Sequence, residues 1–251
     1  MKKAFVIPCR YSDEKPFIYN CIESIRKYHS DKIIVVDSDS DDKSYLDVLK
    51  NNFENVDVVD NKNKNFMTGA IWYVYENFKY DFYYFIHDSV QLLDNLSDYE
   101  SEDITPIMMS ESWEWPIWGD DGKRNSIWAK NQIERCDIEF KESGFNILIG
   151  PMFLCKRNFL DKVKKLKFNK ILPTNKSEME MMERLWGLLI DEIGYTDMVM
   201  DNVILKNRSG STGKDILKLK NYKTDSIIKL KVKISDLNSG DKLIKYWSGR
   251  L

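Results

Sequence analysis

Phe82-Tyr83-Tyr84-Phe85-Ile86-His87-Asp88-Ser89 is an apolar, aromatic run that stops at a polar end. A short run of this kind suits a strand covered on both faces. The first half of the chain repeats the design. Residues 4–8, 32–37, 56–59, 82–87 and 107–110 all read as strands. Helix-period segments lie between the early ones. Over residues 14–28, Phe17, Cys21, Ile25 and Tyr28 recur at helical spacing, and Ile18 and Ile22 widen the stripe. Residues 44–53 and 68–78 are two further helix candidates, with Thr68 placed to N-cap the second. Strands alternating with crossover-length helices predict an α/β fold: a mixed, mainly parallel sheet flanked by helices.

Ligands of such sheets collect at the carboxyl ends of the strands, so the residues just after each strand are the place to look for chemistry. They are Pro8-Cys9-Arg10, Asp37-Ser38-Asp39-Ser40-Asp41-Asp42, residues 60–65 and His87-Asp88-Ser89. Asp88 puts a carboxylate at the sheet edge, where Mg²⁺ or Mn²⁺ shared with a substrate diphosphate prefers oxygen ligands. The plainer alternative is that Asp88 caps the following turn. Four of the six residues from Asp37 to Asp42 are aspartates. Asp37 and Asp39 are candidates to accept hydrogen bonds from a nucleobase or ribose, while Asp41 and Asp42 suit solvent. A calcium loop does not fit, because the sixth position is not glycine and no glutamate stands at the twelfth.

Composition narrows the class. The 251 residues are 43% hydrophobic and 31% charged, with a formal charge of −2 and a pI near 5.9. That balance gives no general footprint for nucleic acid. The Lys-rich stretch over residues 214–245 suits either an anionic partner or solvent. Four cysteines without a CxxC pair, and only two histidines, argue against a zinc cluster. Cys9, Cys21 and Cys155 sit among apolar neighbours and read as buried thiols of a reducing compartment. The apolar run at the N-terminus is too short for a signal peptide, and no run approaches the roughly 20 apolar residues of a membrane span. A cytoplasmic location is expected, with peripheral membrane contact at most.

The second half is less regular. Trp113, Trp115 and Trp118 precede a Gly119-Asp120-Asp121-Gly122 turn, and residues 126–136 and 157–166 look helical. The three tryptophans suit either a sugar-stacking acceptor platform or packing beneath a loop. Residues 146–155 form an apolar run broken by Gly150-Pro151. Residues 176–193 are the strongest late helix, with Met179, Met182, Leu185, Trp186, Leu189 and Ile193 on one face. His29 reads as a surface or helix-dipole residue. Gly210-Ser211-Thr212-Gly213 lacks P-loop spacing but suits a lid, with Lys206 and Arg208 as its nearest basic groups. The expected organisation is one domain over residues 1–205, in two halves (1–95 and 96–205). A C-terminal extension (206–251) then packs on it.

The order Val6-Ile7-Pro8, Val35-Val36-Asp37-Ser38-Asp39-Ser40, an Asn65 segment before a helix, and Phe85-Ile86-His87-Asp88 resembles family 2 glycosyltransferases of the GT-A fold. The likeness covers about the first 95 residues and implies that 1–205 is a catalytic domain, with 1–95 its nucleotide-sugar half and 96–205 its acceptor half. It implies that Pro8, Arg10, Asp37, Ser38, Asp39, Asn65, His87, Asp88 and Ser89 hold a nucleoside diphosphate sugar. It also implies a metal at Asp88. The family's Asp-x-Asp lacks its first aspartate here, so His87 or Ser89 has to assist. In the second half, Gly150-Pro151-Met152-Phe153 resembles the family's acceptor-side strand. The family's catalytic base lies on a helix before a Gly-Tyr, which aligns with Glu183 first and Glu180 second, ahead of Gly194-Tyr195. Glu180 with Arg184 also makes an ordinary i,i+4 pair. The activity implied is sugar transfer to a glycan hydroxyl, inverting, in surface polysaccharide or oligosaccharide synthesis. The alternatives are a sugar nucleotidyltransferase, disfavoured because no glycine follows the first strand, and a silent carbohydrate-binding relative.

Overall fold

The computed structural model describes residues 1–13, 17–114, 119–193, 203–207, 222–223 and 242–247. Strands β1 (Lys3–Cys9), β2 (Lys32–Asp37), β3 (Val56–Val59) and β4 (Phe82–Phe85) alternate with helices α1 (Phe17–Tyr28), α2 (Ser44–Asn52) and α3 (Phe66–Asn77). The chain continues through β5 (Val90–Leu92), β6 (Ile104–Pro106), β7 (Met109–Glu114), α4 (Gly119–Ile133), β8 (Ser143–Leu148), β9 (Phe153–Lys156), α5 (Arg157–Lys165) and α6 (Lys176–Ile193). The last described strands are β10 (Val203–Asn207), β11 (Tyr222–Lys223) and β12 (Leu243–Trp247).

The main sheet runs β3-β2-β1-β4-β9-β6. β1 pairs in parallel with β2 and β4, β2 in parallel with β3, and β9 antiparallel to β4 and β6. This is the mixed, mainly parallel α/β sheet expected from the sequence. Right-handed crossovers place α1 and α2 on one face and α3 on the other. Both faces are therefore covered, and every side chain of β4 is buried. The strand order reverses direction between β1 and β4. Their carboxyl ends, at Cys9 and Phe85, flank the crevice where such sheets bind ligands.

Several boundaries differ from the sequence reading, each for a local reason. β4 stops at Phe85, because the His87 carbonyl accepts the Val90 N–H at 3.1 Å and closes a turn. The run 107–110 is not one strand. Ile107 and Met108 bridge two sheets, with the Ile107 N–H on Met152 O and the Ile149 N–H on Met108 O. Thr68 does not cap α3; the helix starts at Phe66, and Thr68 is buried inside it. Gly119-Asp120-Asp121-Gly122 is the first turn of α4, which starts seven residues before the expected position 126. His29 is buried against Phe5 and Tyr84, its Nε2 accepting the Leu96 N–H at 3.1 Å. All four cysteines are buried free thiols.

α6 positions the second half. Trp186 sits among Trp72, Phe153 and Phe168, with ring centroids 4.8–6.4 Å away. The opposing seam is polar and falls at i, i+4, i+8: Glu183, Gly187 and Asp191. Asp191 accepts the Asn146 N–H and side-chain amide, at 3.1 and 2.6 Å. Gly187 lies so near β8 that a Cβ there would stand 1.9 Å from the Asn146 carbonyl oxygen. Backbone cannot yield as a flexible side-chain end can. Gly187→Ala is therefore expected to cost about 1–3 kcal/mol or more in urea unfolding, as overpacking does. A melt unchanged from wild type would show the seam to be looser than this.

Candidate active site

The turn after β4 brings polar groups to the switch-point crevice. Asp88 and Ser89 are 6% and 3% exposed. β12 runs antiparallel to β5 with Lys245 opposite Val90, which carries the buried Lys245 side chain to this turn. Its ammonium lies 3.1 Å from His87 Nδ1 and donates to Ser89 Oγ. An ammonium has no lone pair, so His87 Nδ1 accepts, and the neutral ring then carries its proton on Nε2. Cys21 lies beneath, its Sγ 3.7 Å from the His87 carbonyl. Burial pushes that thiol up; Asp88 adds to the effect and Lys245 opposes it.

Gly150 joins this turn to α6. Its φ of +62° is the left-handed region that favours glycine, and a Cβ there would stand 2.8 Å from His87 Cε1. Its N–H donates to Glu183 Oε1 at 2.8 Å. Burial pushes the Glu183 carboxyl up to about 7, against the pull of the Gly150 N–H, Arg184 and Lys245. Glu183, Gly150, His87, Ser89, Lys245 and Asp88 thus form one cluster. Glu180 is exposed, and its backbone carbonyl accepts from the Arg184 guanidinium at 3.0 Å.

The other strand ends are ordered by residues the sequence reading passed over. Asp37 is fully buried, and its carboxylate accepts the Tyr45 hydroxyl at 2.8 Å and the Ser40 N–H at 3.2 Å. It therefore builds the loop that presents Ser38 and Asp39. Asp39 has φ +59° and pairs with Lys64 at 3.4 Å. Tyr11 stacks on Tyr45 with centroids 4.6 Å apart, above the exposed Arg10 and half-buried Pro8. Asn63, 5% exposed, ties the β2 and β3 ends. Its amide donates to Phe66 O at 2.9 Å and reaches Ser38 Oγ at 3.4 Å, while its Oδ1 accepts the Asn65 N–H. Asn65 in turn donates to Pro173 O at 2.8 Å, linking this end to the loop before α6. Trp113 belongs to β7, but its side chain lies outside the described residues, as do Trp115, Trp118, Arg208 and the 210–213 loop.

Lys245 carried no signal of its own, and Gly150 stood out only as a break in an apolar run and as part of the family-like Gly150-Pro151-Met152-Phe153. A lysine in a Lys-rich stretch looks solvated, and only the β12–β5 register reveals its place. The donor set also bears on the expected Mg²⁺ or Mn²⁺. Among the described residues, no group of three His, Cys, Asp or Glu side chains stands where it could hold a metal. Asp88 is the one carboxylate of the turn, and the residues on either side of it both hold the Lys245 ammonium. A hard cation seeks several oxygen ligands and is repelled by a fixed positive charge, so these residues do not fit it.

No family model and no curated protein matches the chain. Among solved structures it is similar to S. aureus TarS 1–349 in complex with UDP: 16% identity, 75% of this chain, 55% of that chain, TM-score 0.44. The TarS 1–349 complex with UDP-GlcNAc gives 16%, 75%, 54% and 0.44. GalNAc-T7 with UDP, GalNAc and Mn²⁺ gives 12%, 74%, 40% and 0.49. The chain spans about half the length of the TarS structures and less of GalNAc-T7. Likenesses this distant decide nothing about chemistry, which rests on the chain's own side chains. No helix among the described residues is long and apolar enough to cross a membrane.

The raised carboxyl has a thermodynamic signature. With a folded pKa of about 7 against an ordinary 4.5, Glu183 contributes stability that is complete below the lower value and lost as pH rises through the upper. Gln keeps the Oε1 acceptor but cannot ionise. Glu183→Gln should therefore melt higher than wild type near pH 8, by up to about 3 kcal/mol, with the gap closing toward about pH 4.5. Equal shifts at both pH values would mean that the carboxyl is not held neutral by burial.

Proposed function

We propose that this chain is a glycosyltransferase that moves a sugar from a nucleoside diphosphate sugar to a hydroxyl of a glycan acceptor, with inversion. The observation that carries this reading is the Glu183 carboxyl. It is raised to about 7 and anchored on the Gly150 N–H beside the polar end of β4, at the crevice where the sheet changes direction. A base works best with a pKa near the operating pH. The acceptor O–H gives its proton to Glu183 as its oxygen attacks the anomeric carbon. The bond from that carbon to the diphosphate oxygen breaks, and the electron pair leaves with the nucleoside diphosphate.

The donor lies across the carboxyl ends of β1, β2 and β4. Ser38 and Asp39, on the loop that Asp37 anchors, take the base and ribose, with Pro8, Arg10 and Asn65 around them. His87, Asp88 and Ser89 face the diphosphate. Trp113, Trp115 and Trp118 supply the acceptor platform, and Glu180 is the second candidate for the base. The resemblance to family 2 enzymes supports inversion and a role in surface polysaccharide or oligosaccharide synthesis at the cytoplasmic side. UDP and UDP-GlcNAc bound to TarS, and UDP bound to GalNAc-T7, make uridine nucleotides the first donors to try.

The test is transfer and hydrolysis across a panel of nucleoside diphosphate sugars, with and without Mn²⁺. Turnover should rise with pH and level off above about 7, where Glu183 is ionised. Glu183→Gln should lower kcat by about 10²–10⁴-fold while donor affinity holds; Glu180→Gln should leave both unchanged. A panel in which no donor binds or turns over would end the transferase reading. A fully active Glu183→Gln would remove only the base assignment.

A further inference from the structure

A lysine ammonium sits where the resemblance implies a metal. Lys245 is 7% exposed, and at the turn its ammonium meets Ser89 Oγ and the His87 Nδ1 acceptor. These two contacts hold the ammonium at the turn after β4. Its field favours the ionised form of Glu183, and it opposes Asp88 in acting on the buried Cys21 thiol. The lysine is not on a loose tail. Leu243 and Ile244 before it are buried, and β12 pairs with β5 on one side and β10 on the other. A buried charge is costly to hold, and here it stands at one of the two strand ends that flank the crevice where such sheets bind ligands.

We infer that Lys245 is the resident cation for the donor diphosphate, so that the chain binds a nucleoside diphosphate without a divalent metal. His87 and Ser89 fix the direction of the ammonium. Asp88, enclosed between them in sequence, helps hold the cation that the arriving diphosphate meets. The inference rests on the glycosyl-transfer reading and adds to it the group that neutralises the donor.

The experiment is calorimetric binding of UDP, GDP, CDP and ADP, each in EDTA and in Mn²⁺, to wild type, Lys245→Met and Lys245→Arg, with the matching nucleosides as controls. For the nucleotide that binds, the wild-type Kd in EDTA should stay within about threefold of the Kd in Mn²⁺, since 1.4 kcal/mol would already be tenfold. Lys245→Met should weaken the diphosphate by about 10–100-fold, the worth of a hydrogen bond to a charged group. It should leave the nucleoside unchanged, and Lys245→Arg should retain most of the metal-free binding. A merely structural lysine would weaken nucleoside and diphosphate alike, and that result overturns the inference. So does wild-type binding that vanishes in EDTA, a comparison that needs no variant to fold. Failure of every nucleotide to bind in either condition removes the transferase reading together with this one.

Discussion

The close approach of α6 to β8 sets the geometry of everything around the crevice. A helix meeting a strand normally keeps its distance because Cβ atoms intervene. Gly187 removes that obstacle against Asn146 and Ile147, and the Asp191 carboxylate locks the contact by accepting two Asn146 donors. One helical turn earlier, the same seam delivers Glu183 to the Gly150 N–H. The base candidate is therefore placed by backbone contact, which is stiffer than packing between flexible side chains. Gly150 repeats the device: its missing Cβ is the space that the His87 ring occupies.

Two distant parts of the chain complete the cluster. β4 ends at the centre of the sheet, and its turn offers acceptors but no cation. The cation comes from Lys245, 158 residues beyond His87, through the pairing of β12 with β5. A sequence-local loop would have to order a long, flexible side chain by itself. A strand clamped between two neighbours has already fixed the backbone, leaving only the lysine's own rotamers to settle. The nucleotide side follows the same logic. Asp37 is enclosed by Tyr45 and the Ser40 N–H, so its charge shapes the loop that presents Asp39.

The parallel half was legible because buried strands leave continuous apolar runs, and residues 32–37 and 56–59 gave their strand limits without error. Helix 176–193 was equally plain from its methionine and leucine stripe. What escaped was set by tertiary contact. Gly187 and Asp191 carried no sequence signal, since nothing local reveals a strand backbone pressed against α6, and Glu183 stood out only through the family resemblance. Thr68 resembles a cap by residue type, but Asn63, buried beside Gly69, shapes the start of α3. His29 has the composition of a surface residue, yet Phe5 and Tyr84 enclose it.

Glu183 shows why the cluster needs each of its members. Burial alone would drive a carboxyl far upward and leave it protonated at neutral pH, useless as a base. An exposed carboxylate near 4.5 would be ionised but weakly basic. Between these limits the Gly150 N–H, Arg184 and Lys245 each favour the anion, and together they bring Glu183 back to about 7. The groups that restrain its pKa also build the site: Gly150 accommodates His87, and Lys245 spans His87 and Ser89. Basicity and position are consequently set by the same contacts. A change at Gly150 or Lys245 therefore reaches the proton chemistry even though neither residue carries the proton.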